Sequence, residues 1–108
     1  MKSKVQKVDL NLVKLQAAEQ QLVKTEELLQ STLEVIEDTK QLIIALARAL
    51  VSKPKTVREQ ANIKLRLRRE SYYLVSLESK ADAMRLEIGG LFSTVAVLMK
   101  KRINFAKH

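Results

Sequence analysis

The chain has 108 residues and carries 20 Lys/Arg against 12 Asp/Glu, a formal net charge of +8, with two glycines, one proline, no cysteine and no tryptophan. The lack of cysteine excludes disulfides and thiolate chemistry, and so few turn-forming residues suit one sharp reversal of the chain rather than many. Hydrophobic residues make up 46%, too many for a disordered chain, and the abundance of Leu, Val, Ala, Lys, Glu and Gln is the composition of long packed helices.

The chain opens Met1-Lys2-Ser3-Lys4, basic but followed by no apolar stretch, so no signal peptide is expected. From there to about residue 51, apolar residues recur at alternating steps of three and four. The sequence predicts a first helix over about residues 4–51. Its expected seam runs Val5, Val8, Leu12, Leu15, Glu19, Leu22, Glu26, Leu29, Leu33, Ile36, Lys40, Ile43, Ala47 and Leu50. A repeat of about 3.5 residues keeps one stripe on one neighbour and implies a left-handed supercoil.

Ser52-Lys53-Pro54-Lys55-Thr56 follows. The residue before a proline disfavours the helical region, whereas proline itself fits the first turn of a helix. The turn is therefore expected at about residues 52–56. A second helix is expected over about 56–105, with the seam Ile63, Leu67, Glu70, Leu74, Leu77, Ala81, Met84, Ile88, Leu91, Val95, Leu98, Arg102 and Phe105. Its longest mostly apolar run, Ile88 to Met99, is shorter than the roughly 20 residues that span a bilayer. A cytoplasmic protein is the expectation.

A short connection makes the two helices antiparallel neighbours. The fold class predicted is all-α: an antiparallel two-helix coiled-coil hairpin, formed by residues 1–108 as one unit and assembling into a four-helix bundle. With the turn near residue 55, facing residues should have numbers summing to about 110. That register pairs Leu29 with Ala81, Leu33 with Leu77, Ile36 with Leu74, and Val5 with Phe105. It also sets Lys40 opposite Glu70, an opposite-charge pair that would fix the alignment of the helices. Glu19 and Glu26 gain no partner in this register, which implies solvent access or a basic residue from another chain.

Further apolar surface remains. Ala18, Gln21, Thr25, Leu28, Thr32, Val35, Thr39, Leu42, Leu46 and Ala49 make a second stripe on the first helix. Gly89, Phe92, Ala96, Met99 and Ile103 make a shorter one on the second. Stripes this wide imply a further neighbour. Leu28, Val35, Leu42, Leu46, Phe92 and Met99 are the candidate partner-binding residues, for a second copy of the chain or another helical protein. The paired Gly89-Gly90, costly inside a helix, is expected to mark close packing by a crossing helix rather than a break.

Catalysis is not expected. The single histidine is His108, at the last position, and there is no phosphate-binding glycine loop and no metal-ligand spacing. Glu26-Glu27 and Glu37-Asp38 read as solvated helix faces, because carboxylate-bridged metal bundles add Glu-x-x-His motifs. No cofactor or metal is predicted.

The charge is uneven. Residues 1–52 hold seven Lys/Arg and seven Asp/Glu, whereas residues 53–108 hold thirteen and five. Lys64, Arg66, Arg68 and Arg69, with Tyr72 and Tyr73 close by, are candidate nucleic-acid-binding residues. A cluster on a turn end also keeps an apolar protein soluble, and the four residues flank the seam on several faces. In general plan the chain resembles the plasmid-encoded RNA-binding four-helix bundles, small hairpins that dimerise. In length and shape it also resembles the helical-hairpin substrates and partners of specialised secretion systems in Gram-positive bacteria, although Ser52-Lys53-Pro54-Lys55 stands where those carry Trp-x-Gly. The function expected first is a small non-enzymatic interaction module for protein assembly, adaptor or regulatory binding. Nucleic-acid binding and a role in specialised secretion are the alternatives.

Overall fold

The computed structural model describes residues 10–52 and 55–106, with side chains as far as Ile103. It is an all-α helical hairpin. Helix α1 spans Leu10–Ser52 and helix α2 spans Val57–Ala106, 43 and 50 residues long. The expected seam positions Val5 and Val8, the pairing of Val5 with Phe105, and Pro54 lie outside the described residues or side chains.

The start of α2 is built by Thr56. Its hydroxyl accepts a hydrogen bond from the Glu59 backbone N–H at 3.1 Å, and its carbonyl accepts from Gln60 N–H at 3.0 Å. With Glu59 three residues on, this is the Thr-x-x-Glu pattern that satisfies the free amides of a first helical turn. Glu59 also places a negative charge at the positive end of the helix.

Contacts group the chain into two compact units, Leu29–Ala83 in one, and Met1–Leu28 with Met84–His108 in the other. In the Leu29–Ala83 unit, Ile36, Leu77 and Ala81 form a buried cluster against which Leu29, Leu33 and Leu74 pack. These six are the three pairs that the register predicts. Burying a side chain such as Ile36 or Leu77 contributes about 1.5–3 kcal/mol. In the other unit Leu15, Ala18, Met84 and Leu98 are buried, and Gln21 Nε2 donates to Glu87 Oε1 across the two helices at 3.3 Å.

The seam of α2 lies where the sequence puts it. Every expected position from Ile63 to Leu98 is buried or half-buried, and Arg102 is exposed. On α1 eight of the twelve described seam positions hold. Leu12, Leu15, Leu22, Leu29, Leu33, Ile36, Ile43 and Leu50 are buried or half-buried, but Glu19, Glu26, Lys40 and Ala47 are exposed. Their place is taken by Ala18, Thr25, Thr32, Thr39 and Leu46, all buried or half-buried.

The buried seam of α1 is therefore rotated one column from the expected one, and the reason is electrostatic. Holding Glu19 or Glu26 in the seam would bury unpaired charge, at several kcal/mol each, and burying Lys40 against Glu70 would carry the desolvation cost of an ion pair. Threonine offers a methyl group to the neighbour and can return its hydroxyl to its own helix. Thr25 Oγ1 donates to Gln21 O at 2.8 Å and Thr39 Oγ1 to Val35 O at 2.7 Å. Among the described residues no buried side-chain polar atom lacks a partner.

This assignment makes neighbouring substitutions behave oppositely. Lys40→Leu will change stability by no more than about 0.5 kcal/mol, as surface changes do. Thr39→Lys, one residue away, will cost about 3 kcal/mol or more, because it leaves an uncompensated buried charge. Urea unfolding of the two variants measures both. Equal effects would mean that the seam of α1 is misplaced.

Candidate interaction surfaces

The rotation of the α1 seam splits the second apolar stripe in two. Ala18, Thr25, Thr32, Thr39 and Leu46 are consumed within the hairpin, so Leu46 is half-buried in the seam itself. The remaining column, seven residues apart, is Gln21, Leu28, Val35, Leu42 and Ala49. Leu28 is 52% exposed and Val35 38% exposed, while Leu42 and Ala49 are half-buried. In the Leu29–Ala83 unit the strip left at the edge of the seam is therefore Val35, Leu42 and Ala49.

The other unit has its own strip. Gly89, Phe92, Ala96, Met99 and Ile103 follow one another at steps of three and four, which sets them on one face of α2. All five are exposed, Phe92 by 54%. Leu15, Met99, Arg102 and Ile103 line a shallow open depression beside it. An aromatic ring, a thioether and two aliphatic groups in the open form an apolar patch that water covers at a cost.

Gly89 and Gly90 lie inside α2, which continues through them with no positive φ. Their carbonyls accept hydrogen bonds from Ser93 Oγ at 3.2 Å and Thr94 Oγ1 at 3.0 Å. A methyl group built on either glycine meets nothing within 4 Å. The close packing expected here is thus not made by this chain's own other helix. Each glycine carries the entropic cost of its residue type with no steric return inside the chain. Gly89→Ala and Gly90→Ala will each raise the stability of the isolated chain by about 0.5–1 kcal/mol, read as a higher melting temperature. A loss of stability would show that something does occupy the space above them.

The charged candidates separate by position. Lys64, Arg66, Arg68 and Arg69 are all exposed, but they do not share a face. Counting from the α2 seam, Lys64 and Arg68 lie on one flank, together with Glu78 and Asp82. Arg66 and Arg69 lie on the other, with Tyr72, Tyr73, Ser76 and Lys80. Lys80 was not among the residues the sequence singled out, since it lies beyond the dense basic run. Its signal is the spacing of Arg66, Arg69, Tyr73, Ser76 and Lys80, again three and four.

Lys40 stands exposed and Glu70 half-buried. Lys40 is therefore not the buried seam residue that a locked register pair required. Glu26, Glu27, Glu37 and Asp38 are exposed, and among the described residues no three metal-ligating side chains come together. No described helix is long and apolar enough to cross a membrane. Comparison with known protein families, with characterised proteins and with solved structures returns no match to this chain.

Proposed function

We propose that this protein is a non-enzymatic helical interaction module of the cytoplasm, which acts by docking its open helix faces on another helical surface, first of all a second copy of itself. The observation that carries this reading is the unequal division of apolar side chains. Among the described residues, seven hydrophobic residues are buried, whereas 17 large ones, Val35, Phe92, Met99 and Ile103 among them, are exposed. Among the described residues no large side chain is fully buried. Two helices packed along one seam cannot cover two-sided stripes, and each of the two units keeps one strip in the open.

Such strips are the usual mark of an association surface, and a symmetric pair of hairpins is the simplest way to cover them, as a four-helix bundle. Assembly, adaptor or regulatory binding are the roles open to a module of this kind. If the folded state includes a partner copy, mass action makes its melting temperature depend on protein concentration. Thermal unfolding followed by circular dichroism over a wide concentration range tests this. A melting temperature that rises with concentration supports association; a constant one opposes it.

A further inference from the structure

We infer that the outer face of α2 between Asn62 and Lys80 is a binding surface for single-stranded nucleic acid, with Arg66, Arg69 and Lys80 on the phosphates and Tyr72 and Tyr73 on the bases. The argument begins with how charge is sorted around the helix. Setting the seam of α2 as two columns of a seven-residue repeat leaves five others. Three adjacent columns hold Asn62, Leu65, Arg66, Arg69, Tyr72, Tyr73, Ser76, Ser79 and Lys80, all of them exposed. No acidic residue falls in these columns between Glu59 and Glu87.

The acids of this stretch lie elsewhere. Glu70 is half-buried in the seam, and Glu78 and Asp82 lie on the opposite flank with Lys64 and Arg68. A face evolved only for solubility mixes both signs. Here three cations share a strip with hydroxyl donors and two aromatic rings, and carboxylates are kept off it. Acidic protein surfaces and phosphate backbones would both satisfy the cations.

The tyrosines favour the nucleic acid. Tyr72 is 71% exposed and Tyr73 49% exposed, so their rings are open to a planar partner. Stacking on unpaired bases uses such rings whatever the base, whereas a duplex keeps its base faces covered. Arg66 to Lys80 spans about 21 Å of helix, the rise of roughly six nucleotides of one strand. All of these residues belong to the Leu29–Ala83 unit, so the surface needs no contribution from elsewhere. It shares no residue with the apolar strips, so substitutions test it separately from self-association.

The test is fluorescence anisotropy of labelled oligo(dT) and oligo(rA) of about 20 nucleotides with the full chain, over a series of salt concentrations, beside a duplex of equal length and polyglutamate. Binding of single strands is expected, with the logarithm of affinity falling with that of salt at a slope near 2, about 0.7 for each of three phosphates. Arg66→Gln with Arg69→Gln and Lys80→Gln should remove most of that slope. Tyr72→Ala and Tyr73→Ala should each cost about fivefold or more while leaving the slope in place. Lys64→Gln with Arg68→Gln, on the other flank, should change affinity far less than the first triple variant. Circular dichroism confirms that every variant remains helical. Equal binding of oligo(dT) and oligo(rA) is the expected pattern. The inference is overturned by absence of binding at low salt, by tighter binding of the duplex with no effect of the tyrosines, or by polyglutamate binding as well as the oligonucleotides.

Discussion

Ala81→Glu will unfold the part of the chain between Leu29 and Ala83, while Ala83→Glu, two residues later, will leave it intact. Ala81 is the most buried of the core residues, 1% exposed, and its cluster consists of Ile36 and Leu77 with Leu29, Leu33 and Leu74 around them. A glutamate there would find neither room nor a polar partner. The penalty combines overpacking, about 1–3 kcal/mol, with the burial of an unpaired carboxyl group, several kcal/mol more. Domains of this size have about 5–15 kcal/mol in total, so the sum removes most or all of the stability. Ala83 is exposed, and substitution there should stay within about 0.5 kcal/mol. Leu77→Ala offers an intermediate case, a loss of about 2–5 kcal/mol from the cavity it leaves. Circular dichroism and urea unfolding of the three variants measure the series.

The second large effect concerns association. Val35→Glu combined with Leu42→Glu will leave the helices formed and abolish self-association. Val35 is 38% exposed and Leu42 half-buried at the edge of the seam, so a carboxylate at either position can reach water within a single hairpin. A second copy packed against this strip would bury both charges without partners, at several kcal/mol for each copy. The loss should therefore appear in mass and not in helix content. Val35→Ile and Leu42→Met, which keep the volume and the apolar character, should associate as the parent chain does.

The architecture was legible because the chain has one plausible turn and two long periodic stretches. Seam residues on α2 were legible for the same reason: Leu74, Leu77, Met84, Leu91 and Leu98 recur at regular steps, and the facing columns hold most of its polar residues. On α1 the periodicity was equally regular but had two solutions. Reading by hydrophobicity favours the column with Leu12 and Leu33 and tolerates Glu19, Glu26 and Lys40 beside them. The hairpin keeps Leu12 and Leu33 half-buried, turns Glu19, Glu26 and Lys40 outward, and buries Ala18, Thr25, Thr32 and Thr39, with Leu46 half-buried, on the other side.

The signal that distinguishes the two columns is charge and not hydropathy. Among the described residues the buried column contains no ionisable residue, and three of its members are threonines one heptad apart. A threonine whose hydroxyl bonds to the carbonyl four residues back behaves as a small apolar residue, as Thr25 and Thr39 do. Hydropathy counts it as polar. The same shift changes the candidate partner face, since Leu46 passes from that face into the seam and Val35 and Leu42 remain at its edge.

The basic cluster was legible as composition but not as a surface. Lys64, Arg66, Arg68 and Arg69 are adjacent in sequence and diverge around the helix. Only with the seam in place does the acid-free side, with Tyr72, Tyr73, Ser76 and Lys80, separate from the mixed-charge side that holds Glu78 and Asp82. Partner recognition depends on such sorting, because neighbouring residues on a helix point in different directions while those three and four apart share a face.

The central claim is that the open apolar strips are covered by a second copy. Light-scattering mass of the parent chain beside the Val35→Glu, Leu42→Glu variant, in moderate salt and without nucleic acid, tests it most directly. The account predicts at least twice the 12.3 kDa of a single chain for the parent and a single-chain mass for the variant, with equal helix content. A parent chain of single-chain mass at high concentration, or a variant that keeps the mass of the parent, would contradict it.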